Sequence, residues 1–158
     1  MKKTLITTIL LALVLITGCS LLSTTEEESK KPEPFSFSHG TVQIHEKNDV
    51  KVHTYLSNDA LHATNIIESD NKLVLFDAQF TNPYAEEFRA YADSLDKPIE
   101  RIIISHAHPD HFLGLGLAFD DIPEKVYSLE KTKQDIIANG PGMIESFKDN
   151  FEYRRERK

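Results

Sequence analysis

The chain has 158 residues, a formal charge of −7 and a single cysteine. That length bounds it to about one domain, and one cysteine excludes an internal disulfide framework. The acidity serves solubility and argues against nucleic-acid binding, which relies on neutralising phosphates.

The chain opens with Lys2 and Lys3, followed by the apolar run 5–16. A membrane-spanning helix needs about 20 apolar residues, so this shorter run reads as a secretory signal peptide. It closes on Leu15-Ile16-Thr17-Gly18-Cys19, which resembles the lipobox of bacterial lipoprotein signals. The resemblance implies cleavage after residue 18 and lipid on Cys19. The mature domain is then expected to be exported and held at a membrane, on the periplasmic or cell-surface side. Cleavage removes two of the 18 basic residues and none of the 25 acidic ones, leaving a charge of −9. It also leaves no free thiol, so cysteine is excluded as a metal ligand. Residues 19–34 hold the lipidated Cys19 and a polar stretch with two prolines, "LLSTTEEESKKPEP". Such a stretch buries too little apolar surface to fold and reads as a flexible linker. The folded domain is expected over 35–158.

Within that domain the first segments alternate with period two. Val42 and Ile44 oppose Thr41, Gln43 and His45; Val50, Val52, Thr54 and Leu56 oppose Lys51, His53, Tyr55 and Ser57. These are half-buried strands. "TNIIE" and "KLVLFD" flank the turn signal Ser69-Asp70-Asn71 and predict a hairpin. The period then changes: Tyr84, Phe88, Tyr91 and Leu95 are helically spaced, with Asn82 as N-cap and Pro83 at the first helical position. "RIII" predicts a strand covered on both faces. "KVYS" is a short strand, "LEKTKQDIIANG" a helix ending at Gly140, and "MIESFKDNF" continues with Met143, Phe147 and Phe151 on one face. A β-rich start followed by strand–helix alternation is α/β or α+β.

Directly after "RIII" comes Ser105-His106-Ala107-His108-Pro109-Asp110-His111. With 7 His and 11 Asp in the chain, H-x-H-x-D-H arises by chance roughly once in a thousand such chains. Ligands bind at the carboxyl ends of strands in α/β sheets. His106 and His108 are two apart, and extended residues two apart point the same way. Pro109 biases His108 toward that extended region, so two imidazoles can chelate one metal. Asp110 and His111 follow the turn and can face a second metal. These donors suit Zn²⁺, and Fe or Mn fits the same set. The other histidines, His39, His45, His53 and His62, carry no ligand spacing and are expected to be solvated.

"HAHPDH" resembles the signature of the metallo-β-lactamase-fold hydrolases. The order of elements before it agrees, over about Val42 to Asn139. The resemblance implies an α/β fold, the N-terminal βαβα half of an αββα sandwich. It implies that His106 and His108 hold one zinc ion, and Asp110 and His111 a second. A hydroxide bridging the two is then the nucleophile, with Asp110 the catalytic residue that orients it. Asp77 matches the aspartate of the family's strand-end D-T-G element and would steady the motif loop from behind the ligands. The substrate is then a small ester, lactone, thioester or β-lactam.

This chain departs from the family pattern in three places. Asp77 is followed by Ala78-Gln79 rather than Thr-Gly. Gly114 and Gly116 replace a Gly-Gly pair after the motif. No histidine follows His111, although the family's second half supplies one to each metal. Asp120, Asp121, Asp135 and Asp149 stand in no matching motif. The chain is therefore expected to be a truncated, lipid-anchored metallo-hydrolase with little activity alone. The alternative is a non-catalytic lipoprotein that binds metal or a partner.

Overall fold

The computed structural model describes residues 34–58 and 62–148. The expected signal peptide, Cys19 and Phe151 lie outside the described residues. Among the described residues six strands form one sheet in sequential order. β1 (Gly40–Lys47), β2 (Val50–Ser57), β3 (Ala63–Glu68) and β4 (Leu73–Phe76) form an antiparallel meander. Lys72 O accepts from Ser69 N at 3.0 Å and closes the expected β3–β4 hairpin. α1 (Asn82–Ser94) then crosses over to β5 (Ile99–Ile104), which runs parallel to β4. The short helices α2 (Pro109–Phe112) and α3 (Leu115–Ala118) follow. β6 (Val126–Ser128) pairs parallel to β5 and leads into α4 (Glu130–Phe147). No helix among the described residues is long and apolar enough to cross a membrane.

α1 forms where the spacing predicts, but its cap lies one residue earlier. Thr81 is the extended N-cap and Asn82 the first helical residue, since Ala85 N donates to Thr81 O at 2.9 Å. Pro83 remains in the first turn, where a missing N–H costs nothing. α1 buries Ala85, Phe88, Tyr91 and Ala92 in the core with Tyr55, Ile66, Leu75 and Ile102. α4 does not end at Gly140; it continues through Gly140-Pro141-Gly142. Its partly buried Ile136, Met143 and Phe147 pack on the same core and carry the helix past the proline.

The two faces of the sheet differ. His53, Tyr55 and Ser57 are buried on the α1 side, while Val52 and Leu56 on the other side are half-buried. β5 was expected to be covered on both faces. Instead Ile102 and Ile104 are buried, Ile103 is half-buried and Arg101 is exposed.

His53 and His62 also depart from the solvated expectation. His62 is half-buried. His53 is 2% exposed, and its Nε2 lies 2.8 Å from Glu68 Oε2. A carboxylate only accepts, so Nε2–H donates, and Nδ1 accepts from Tyr91 O–H at 2.5 Å. Lys97 Nζ donates to Glu68 Oε1 at 2.7 Å. Burial pushes the Tyr91 hydroxyl up to about 12, and the Glu68 charge adds to that. Burial alone would raise the Glu68 carboxyl, but hydrogen bonds from Lys97 and His53 outweigh it and hold the carboxyl below its ordinary range.

A carboxyl depressed in the folded state stabilises above its unfolded pKa, and that contribution fades as pH falls through the folded value. The stability difference between the native chain and Glu68→Gln should therefore be largest near neutrality and shrink steadily below about pH 4.5. Urea unfolding of both proteins from pH 7 to pH 3 checks this; a gap that does not depend on pH contradicts it.

Candidate metal centre

The motif follows β5, beside the end of β4, where two parallel strands deliver their carboxyl ends together. The chain leaves β4 in a turn with two non-glycine residues in the left-handed region, Asp77 at φ 64° and Gln79 at φ 71°. Such residues cost about 1–2 kcal/mol each, so surrounding bonds must hold them. Asp77 N donates to Ile103 O at 2.9 Å, and Ala78 N to His111 O at 2.9 Å. Gly114 N donates to Gln79 O at 2.9 Å. Gln79 is fully buried, and its Nε2 donates to Thr64 Oγ1 at 3.0 Å.

The Asp77 carboxylate joins the two strand ends. Oδ1 accepts from Ser105 N at 2.8 Å. Oδ2 accepts from Ser105 Oγ at 2.9 Å and from His111 Nδ1 at 2.8 Å. Ser105 is a site residue that the motif alone does not reveal; its only signal is its place directly before His106.

The four motif donors meet as two pairs. His106 Nε2 and His108 Nδ1 are 3.0 Å apart. His108 is the extended cap of α2, with ψ 145° ahead of Pro109. His111 Nε2 and Asp110 Oδ2 are also 3.0 Å apart. The pairs are adjacent, since the His106 and His111 rings lie 3.9 Å centroid to centroid. His106 and His108 are exposed, whereas Asp110 and His111 are half-buried.

This donor set can be tested against a metal. Asp77 only accepts, so His111 Nδ1 carries the hydrogen. In the neutral ring Nε2 is then a lone pair facing the Asp110 carboxylate, an arrangement that calls for a proton or a cation. Ligand atoms bonded at 2.0–2.1 Å around a tetrahedral ion lie about 3.3 Å apart, close to both observed separations. The residues fit a zinc-type ion, but in pairs: among the described residues no group of three or more such side chains is arranged to hold one.

The family model described as the metallo-beta-lactamase superfamily matches residues 60–156, more than half of the chain. The chain belongs to the metallo-β-lactamase superfamily. No curated protein matches it. Among solved structures it is similar to the metallo-β-lactamase FIM-1 from Pseudomonas aeruginosa in its mono-zinc form, at 22% identity and TM-score 0.49, covering 63% of this chain and 46% of that one. The metallo-β-lactamase from Hirschia baltica is 24% identical, with TM-score 0.45 and coverage of 63% and 48%. That from Pontibacter korlensis is 19% identical, with TM-score 0.47 and coverage of 63% and 49%. The chain spans about half the length of these structures.

Gly114 is the tightest point of the loop. A Cβ there would lie 1.9 Å from Ala78 O, a backbone atom that cannot swing aside. Gly114→Ala should cost at least the roughly 1–3 kcal/mol of an overpacked core, read by thermal unfolding. Gly116→Ala, with open space around its Cβ, should leave the melting temperature unchanged or raise it. Equal effects of the two would contradict this packing.

Proposed function

We propose that the chain carries the metal-binding motif of a zinc-type hydrolase of the metallo-β-lactamase superfamily, exported and lipid-anchored through Cys19. The observation that carries this reading is the convergence of His106 with His108, and of Asp110 with His111, at the ends of two parallel strands braced by Asp77. Zinc is the metal the superfamily commonly binds, and Fe or Mn suits the same donors. When bound, such a cation lowers the pKa of water toward neutrality and polarises an acyl carbonyl. The chain's own residues do the rest. Asp77 fixes the orientation and tautomer of the His111 ring through Nδ1. Asp110 is the acceptor placed to orient a water and hold its proton. The substrate class is a small ester, lactone, thioester or β-lactam.

The 158-residue chain alone presents two motif donors to each ion, whereas catalytic zinc normally has three protein ligands. It is therefore expected to bind zinc weakly and to turn these substrates over slowly. That same paired arrangement favours the second reading, a non-catalytic lipoprotein that binds metal or a partner. Zn²⁺ titration of the native chain and of a His106→Ala, His108→Ala double variant tests the metal; equal binding by the two refutes it. Metal-dependent turnover of an ester, lactone, thioester or β-lactam separates the hydrolase from the binding protein.

The anchor has its own test. The native chain, expressed in a bacterial host, should take up labelled fatty acid and fractionate with membranes, and Cys19→Ala should do neither. Absence of label on the native chain, or a Cys19→Ala protein still held by its mature part, contradicts the anchor.

A further inference from the structure

Ser105 directly follows β5 and is exposed. Its hydroxyl has two close partners, Asp77 Oδ2 at 2.9 Å and His106 Nδ1 at 2.9 Å. His111 Nδ1 is farther, at 3.5 Å, and lies 2.8 Å from Asp77 Oδ2. A hydroxyl carries one hydrogen and two lone pairs, and a carboxylate only accepts. The hydroxyl hydrogen therefore goes to Asp77. Ser105 Oγ is left with a lone pair toward His106, which calls for a donor. Nδ1 is then the protonated nitrogen of the His106 ring.

We infer that Ser105 is a positioning residue, a hydroxyl relay from Asp77 that fixes His106 as the Nδ1–H tautomer and turns its Nε2 lone pair to His108. One carboxylate then orients a ring in each donor pair, His111 directly and His106 through Ser105. The inference deepens the metal reading above, on which only its zinc consequence rests. His106 Nε2 is the atom 3.0 Å from His108 Nδ1. In the neutral Nδ1–H ring that atom is a lone pair, the form in which imidazole takes a metal. The opposite tautomer would place a bare Nδ1 against Ser105 Oγ. The single hydroxyl hydrogen could then serve His106 or Asp77 but not both, and the bond given up would be the one to the ionised acceptor, the stronger class. His106 is exposed, so its ring relies on such a bond rather than on burial for its orientation.

The full 158-residue chain, ¹⁵N-labelled and solubilised in detergent, is compared with Ser105→Ala and Ser105→Thr. Long-range ¹⁵N–¹H correlation, recorded well above the ordinary imidazole pKa of about 6.5, assigns the tautomer of each ring. Following the His106 Nε2 resonance while Zn²⁺ is added gives the affinity at that pair, and thermal unfolding in chelator checks the fold. The native His106 should be protonated at Nδ1. In Ser105→Ala the backbone N–H at position 105 still donates to Asp77 Oδ1, and His111 should stay protonated at Nδ1. His106 should shift toward protonation at Nε2, and zinc there should weaken by roughly the 10–100-fold that hydrogen-bond partners of a ligand are worth. Ser105→Thr retains the hydroxyl and should restore both. A role in folding alone would lower the unfolding temperature and leave the His106 tautomer unchanged. A native His106 protonated at Nε2, or an Nδ1–H tautomer that persists in a folded Ser105→Ala protein, would overturn the role of Ser105. Should Ser105→Ala fail to fold, the tautomers of the native chain and of Ser105→Thr decide. The expected tautomers with no movement on adding Zn²⁺ would instead overturn the metal reading and leave Ser105 as the relay.

Discussion

The Asp77 carboxylate ties the end of β4 to the start of the motif loop with three hydrogen bonds, two from Ser105 and one from His111. Each goes to an ionised acceptor, the stronger class of hydrogen bond. They hold a turn that would otherwise relax, because Asp77 and Gln79 both occupy the left-handed region. They also set the His111 tautomer. With Nδ1–H committed to Asp77, Nε2 has to face Asp110, and the motif's second donor pair follows from that one choice.

The rest of the fold makes this clamp rigid. Parallel pairing of β4 and β5 brings their carboxyl ends side by side, and α1 buries the sheet face behind them. At the far end of the sheet, His53, Glu68, Tyr91 and Lys97 form a second polar network that fixes α1 to β2 and β3. Glu87 performs the same task nearer the N-terminal segment, where its carboxylate accepts from Ser38 N, His39 N and Tyr55 O–H. Strand order and buried carboxylates thus place the motif, and the motif residues themselves carry little of the folding load, since His106 and His108 are exposed.

Much of this was legible in the sequence, for identifiable reasons. Period-two and helical spacings locate the strands and α1, because burial on one face imposes those periods. H-x-H-x-D-H marks the centre because it is compact in sequence. What sequence could not give is contact between distant segments. Ser105 gains meaning only through Asp77, and His53 looks solvated until Glu68 and Tyr91 close around it. Gly140-Pro141-Gly142 signals a stop locally, whereas packing of Ile136, Met143 and Phe147 continues α4 past it. The Gln79 position explains one departure from the family pattern. Glycine suits a residue at φ 71°, and here the hydrogen bond to Thr64 compensates for a side chain in that place.

At the motif, Asp77 holds the His111 ring with Nδ1 protonated and Nε2 turned to the metal side. Long-range ¹⁵N–¹H correlation of the histidine rings tests it most directly, with and without Zn²⁺ and in Asp77→Ala. The expected result is a His111 ring protonated at Nδ1, an Nε2 resonance that moves on adding Zn²⁺, and loss of both features in Asp77→Ala. A His111 ring protonated at Nε2 with a bare Nδ1, or one indifferent to both Zn²⁺ and Asp77→Ala, would contradict it.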